Sequence, residues 1–182
     1  MKALCHKLLG SYLADQYISM LPRRYSRAFK LGCVEPDKNF TTYFKGSFRH
    51  EWMRGHNWGN TTRYMGRLSY KLERKKKLRL LDYYKIGKLI HYTADAFTFA
   101  HNEAFGDNLK EHCSYEAKLQ EHIPSLLSYY RHNPVSSSET VFNLIRSYHK
   151  DYLNRPRSVH TDAAFSVFVC SSVLDRLIQS RQ

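Results

Sequence analysis

The sequence predicts an all-α protein, and three observations carry that expectation. Apolar residues recur at three- and four-residue intervals through most of the chain. No alternating run marks a strand, and no repeat or low-complexity tract interrupts the helical spacing. Proline and glycine are scarce, five and eight in 182 residues, and they collect at plausible breaks. The length favours one compact multi-helix domain, residues 1–182, with a core that needs no disulfide or metal staple.

Six to eight helices are expected. "KLLGSYLADQYISML" places Leu8, Leu9, Tyr12, Leu13, Tyr17 and Met20 on one broad face. "PRRYSRAFKLG" reads as a short helix, with Pro22 in its first turn and Gly32 just past its end. Residues 33–60 read as irregular. A helix is expected from Thr61 to about Arg79, ending in the basic run "KLERKKKLR". "LLDYYKIGKLIHYTADAFTFAH" then reads as one long, mostly buried helix. "NLKEHCSYEAKLQEHIPSLLSYYRH" follows as another, kinked or broken at Pro124. Ser136 and Glu139 fit a capping box for a helix reaching Leu153. Thr161 is the expected cap of a last helix over roughly 162–180.

Bulk composition narrows the class. Hydrophobic content of 42% and charged content of 25% fit a soluble globular chain. A net charge of +13 favours anionic partners: phosphate esters, nucleic acid or an anionic membrane surface. The bland alternative is a solvated basic surface with no ligand. Four cysteines, none in a CxxC pair, fit neither a disulfide framework nor a zinc ribbon. No run approaches ~18 apolar residues, so no transmembrane helix is expected. The N-terminus lacks a long apolar signal region, which gives a cytoplasmic expectation.

The apolar stretch 91–102, "HYTADAFTFAHN", carries three costly polar residues, His91, Asp95 and His101. His91 and Asp95 are four apart, one turn apart on one helix face. Imidazole nitrogen and carboxylate oxygen both ligate zinc-like metals. On a continuous helix His101 lies further round, better placed for a neighbouring metal than for the same one. His112 and Glu116 form a second pair with the same spacing, in "HCSYE". Asp37 and His56, in the region read as irregular, could approach a helix face from outside. Each has a plain alternative: a helical His–Asp hydrogen bond, an exposed helix face, an Asx-turn for Asp37, a loop histidine beside Trp58. His50, His122, His132 and His149 read as surface or local hydrogen-bonding residues, and His160 as an aid to helix entry. Tyr92, Phe97 and Phe99 read as core.

With these residues in order, the chain resembles the zinc-dependent phospholipase C family. "HYTADAFTFAH" matches that family's His-x3-Asp-x5-His signature, and "HCSYE" its following His-x3-Glu. Asp37 and His56 match the upstream aspartate and loop histidine. The arrangement is similar to that of the zinc-dependent single-strand nucleases of the P1 type, which share the all-α fold. The resemblance implies a cluster of two or three zinc ions. Asp37, His56, His91 and Asp95 would hold one, and His101, His112 and Glu116 a second. Asp95 would bridge to a third, completed by His6 and the chain's N-terminal amine and carbonyl. The chain shows no processing signal, and Met1 lies five residues before His6, so two sites with a weak or absent third is the alternative. Cys5 is either a substitute soft ligand or a buried structural thiol.

The implied chemistry is hydrolysis of a phosphodiester by metal-activated water, with Asp37 as general base and a phospholipid or nucleic acid as substrate. Lys38 and Met53 stand where choline-lipid members carry aromatics, so a phosphatidylcholine preference is not carried over. Peripheral contact with a membrane fits the basic charge. Two other readings stay open: a non-catalytic, metal-stabilised helical protein that binds acidic partners, and a metal-free nucleic-acid binder using "KLERKKKLR".

Overall fold

The computed structural model describes residues 1–38, 57–102, 109–134 and 138–178, the side chains of 109, 110 and 112 excepted. Among the described residues there are seven α-helices, one 3-10 turn and no strand. They are α1 (Ala3–Tyr17), α2 (Arg23–Lys38), α3 (Trp58–Glu73), α4 (Leu80–Ala96), the 3-10 turn (Phe99–His101), α5 (Leu109–Tyr129), α6 (Val141–Leu153) and α7 (Val159–Leu177). The all-α expectation holds.

The bundle is built around α4. Thirteen of its 17 residues are buried, which is why "YYKIGKLIHYTADA" is apolar on nearly every side. Helices α1, α2, α3 and α7 all pack against it, α2 most extensively. Two glycines allow that closeness. A Cβ on Gly32 would lie 2.1 Å from the Tyr84 carbonyl oxygen, and one on Gly87 2.1 Å from the Phe29 carbonyl oxygen.

Gly32 therefore does not end α2, as its position in the sequence predicts; it is where two helices touch. The helix runs on through Pro36 to Lys38, so residues 33–38 are helical and not irregular. Proline inside a helix forfeits a backbone hydrogen bond. Burial of Cys33 and Pro36, and a 2.7 Å ion pair from Glu35 to Lys88 of α4, hold the extra turn down. In the same way α5 continues through Pro124, with Leu119, Ile123 and Leu126 buried on both sides of it.

Other boundaries move for local reasons. Helix α1 ends at Tyr17, so Ile18 is buried and Met20 is 93% exposed rather than part of the apolar face. Asn57 caps α3 by accepting from the Asn60 N–H at 2.9 Å, which starts the helix ahead of Thr61. That helix stops at Glu73, and Asp82 ties the following turn: it accepts from the Arg79 N–H at 2.9 Å and pairs with Lys75 at 2.7 Å. Thr140 caps α6, and Ser136 of the expected capping box lies outside the described residues; Ser158 caps α7 by accepting from the N–H of Thr161, the expected cap, at 3.0 Å. Glu73 of α3 meanwhile accepts from the first N–H of α6, Val141, at 2.7 Å.

The long helix expected through His101 ends at Ala96. Thr98 turns its hydroxyl back to the Ala94 carbonyl at 3.0 Å, and Asn102 donates to the Ala96 and Thr98 carbonyls at 3.1 and 2.9 Å. These bonds occupy the last carbonyls of the helix and fold residues 99–101 into the 3-10 turn.

Candidate metal centre

Helix α4 presents His91 and Asp95 one turn apart, both fully buried. From α1, His6 lays its ring flat on that of His91, centroids 3.9 Å apart at 25°. Asp37 reaches in from the last turn of α2, which extends past Gly32 far enough to carry it. His101 comes from the 3-10 turn, Glu116 from α5, and the Met1 amine from the residues ahead of α1.

The donor atoms converge on Asp95. Its Oδ2 lies 3.2 Å from His91 Nε2, and its Oδ1 lies 3.1 Å from His6 Nε2 and 3.7 Å from His101 Nε2. Asp37 stands 3.5 Å from His91 Nε2 and 3.9 Å from His6 Nε2. Glu116 Oε1 is 3.2 Å from His101 Nε2. The Met1 amine is 2.8 Å from Asp95 Oδ1 and 3.0 Å from Glu116 Oε1, and also touches His101 Nε2.

These separations fit a metal. At bond lengths of 2.0–2.2 Å, tetrahedral zinc holds its ligand atoms about 3.3–3.6 Å apart, and the spacings around Asp95 fall on both sides of that range. The candidate ligand atoms of His6, His91 and Asp95 all lie within 4.8 Å of one another. Tautomer supports the fit as well. His91 Nδ1 sits 2.9 Å from the Cys33 carbonyl oxygen, which can only accept, so Nδ1 carries the proton. That leaves Nε2 as the ring nitrogen facing the carboxylate oxygens of Asp95 and Asp37, the position from which a neutral imidazole would ligate a metal.

Protonation follows burial and charge. Burial, then the neighbouring His91, lowers His6 to about 3, so its ring is neutral. Burial and the Met1 ammonium lower His101 too. Burial alone would raise Asp95, but the Met1 ammonium and the three histidines overcome it and hold the carboxyl well below its ordinary value. Burial works against the charge on the Met1 amine, yet Asp95 and Glu116 raise it to about 10. Burial pushes the Cys5 thiol up to about 11, the behaviour of a structural thiol.

Six of the eight residues singled out in the sequence meet here: His6, Asp37, His91, Asp95, His101 and Glu116. His56 lies outside the described residues, as does the side chain of His112, whose backbone stands one turn before Glu116 in α5. Asp37 sits in a helical turn and not in an Asx-turn. His101 reaches the Oδ1 side of Asp95 because α4 has already ended, while His91 reaches the Oδ2 side.

Two supporting residues escaped sequence reading. Asp162, buried at the start of α7, accepts from the Phe99 N–H at 2.7 Å and from the Tyr115 and Tyr152 hydroxyls at 2.9 and 2.8 Å. It thereby ties the turn bearing His101 to the helix bearing Glu116; in the sequence it passes for a first-turn acid. His149 is buried, stacked on Trp58 at 3.8 Å between centroids and 2.9 Å from the Asn102 side-chain oxygen. It is a hydrogen-bonding residue of the interior, not of the surface. His132 pairs with Asp175 at 2.6 Å and His122 meets His160 at 3.3 Å, both away from the centre.

A family model described as zinc dependent phospholipase C matches residues 5–159. No curated protein and no solved structure matches the chain.

Proposed function

The chain belongs to the zinc-dependent phospholipase C family, and from that premise we propose that it hydrolyses a phosphodiester of the phospholipid type. The observation that carries this reading is the convergence of three fully buried residues, His6, His91 and Asp95, whose candidate ligand atoms all lie within 4.8 Å of one another. Asp37, His91 and Asp95, with His56 by resemblance, would hold one zinc; His101, Glu116 and, by resemblance, His112 would hold a second. His6 and the Met1 amine, both against Asp95 Oδ1, would hold a third where the chain begins at Met1.

Bound zinc supplies Lewis acidity, acidifying water and drawing charge from a phosphoryl oxygen. The protein supplies the rest. Asp95, 1% exposed, offers its two oxygens to different partners and so links the two sides of the centre. The Asp37 side chain is 17% exposed, at the edge where a carboxylate can exchange a proton with solvent, which supports it as the general base. Lys38, exposed beside it, favours an anionic head group over a quaternary ammonium.

The test is metal analysis with a diesterase assay on a soluble nitrophenyl phosphodiester, phospholipid vesicles and single-stranded DNA. The expected result is at least two zinc ions per chain and hydrolysis of the soluble diester and the phospholipid. His91→Ala is expected to lose zinc and activity together. At a free zinc concentration ~1,000 times Kd, bound metal stabilises by about 4 kcal/mol, so chelation should lower Tm by about 8–16 °C for a chain of this size. Stoichiometric zinc without turnover of any diester would overturn the enzyme reading in favour of a metal-stabilised binding protein. Full zinc content in His91→Ala would remove the ligand assignment.

A further inference from the structure

Where α3 gives way to α4, charge and apolar surface are exposed together. Between residues 70 and 85 the sequence holds seven lysines and arginines against two acids. Both acids are already partnered: Asp82, 1% exposed, is taken by Lys75 and the Arg79 N–H, and the half-buried Glu73 accepts from the Val141 N–H. Lys71, Arg74, Lys76, Lys77, Arg79 and Lys85 are left exposed. Among them stand three large apolar side chains that the fold does not bury: Tyr70 at 59%, Leu80 at 42% and Leu81 at 69%.

The tip has a defined shape. Leu78 packs back on the core, the Asp82 carboxylate ties the turn, and the Arg74 guanidinium lies over Tyr70 with a 2.9 Å bond to its hydroxyl. The basic surface continues along α3 through Arg63 and Arg67, at four-residue spacing from Lys71. These arginines flank an open groove of about 610 Å³, lined by Tyr70 at one end, Gly59 at the other, and Phe142 from α6. Gly59 adjoins Trp58, which stacks on the His149 that bonds Asn102, the neighbour of His101.

We propose that the α3–α4 tip and the basic stripe of α3 dock the protein on an anionic membrane surface. Lysine and arginine find lipid head-group charge, and Leu80 and Leu81 gain burial in the acyl boundary. Exposed aliphatic pairs gain nothing on a nucleic-acid backbone, which decides between the two polyanions. The choice of lipid agrees with the phospholipase reading, but docking is measured without turnover.

The experiment is co-sedimentation of the zinc-loaded protein with vesicles of phosphatidylcholine alone or with 30% phosphatidylserine, at low and high salt. Binding is expected on the anionic vesicles only, weakening with salt. Each basic residue near the surface contributes a factor of about five, so the double variant Lys76→Ala/Lys77→Ala should bind about 25-fold more weakly. Leu81→Ser should also weaken binding, by several-fold. Both variants are expected to hydrolyse a soluble diester like the parent, and His91→Ala to lose metal while still binding vesicles. Docking is overturned if the lysine variant binds anionic vesicles like the parent, or if single-stranded DNA competes fully and Leu81→Ser has no effect. Vesicle binding by a protein that hydrolyses no diester would sink the enzymatic reading and leave docking standing.

Discussion

His149 has a buried ring with specific neighbours: the Trp58 indole stacked on one face, the Phe97 ring at 5.7 Å edge-on, and Asn102 on Nε2. Burial lowers its pKa to about 4, so it stays neutral in the folded chain well below the value at which an unfolded histidine charges. The unfolded state therefore binds the extra proton first. Stability from this group is complete above about pH 6.5 and is lost as pH falls toward 4, in total about 3 kcal/mol. His149→Phe keeps an aromatic ring but cannot titrate. Its unfolding free energy should fall less steeply between pH 6.5 and 4 than the parent's; parallel profiles would remove the assignment. Nothing local in the sequence marks this histidine, because Trp58 and Asn102 are far from it along the chain. His91 and Asp95, by contrast, were legible from spacing within one helix. His6, Asp37 and Glu116 were legible only as members of a pattern.

Helices were legible where periodicity is long, and their ends were not. An end is decided by competition between local signals and tertiary contact, and tertiary contact won at Gly32, Pro36 and Pro124. The Gly32–Gly87 crossing is the sharpest case. A Cβ on Gly87 meets the Phe29 carbonyl oxygen at 2.1 Å and the Cys33 nitrogen at 2.9 Å, both backbone atoms that cannot step aside as a side chain would. Gly87→Ala should therefore push α2 off α4 and cost about 3 kcal/mol, or about 6–12 °C in Tm. It should also reduce zinc content, since α2 carries both Asp37 and the Cys33 carbonyl that orients His91. A Tm within about 2 °C of the parent's would show that the helices tolerate separation. The early end of α4 was equally hidden: Thr98 and Asn102 terminate the helix through side-chain bonds that periodicity does not register.

At the scale of the molecule, the all-α class and the basic character were both legible in composition. The direction in which the charge points was not. It depends on Asp82 and Glu73 being taken up by partners within the fold, which only the packing of α3, α4 and α6 reveals. No helix among the described residues is long and apolar enough to cross a membrane. The arrangement also bears on assembly in time. The Met1–Asp95 contact spans 94 residues, and the other donors come from α1, α2, α4, the 3-10 turn and α5. Closing such intervals is slow relative to helix formation. In refolding with a zinc-responsive dye present, metal uptake should follow the slowest cooperative phase. Uptake in an earlier phase would mean that the α4 pair captures zinc before α1 docks. During synthesis, at 5–20 residues per second, roughly 5–20 s separate His6 from Glu116. Zinc that arrives early in that interval meets an isolated histidine; zinc that arrives at its end meets the gathered set.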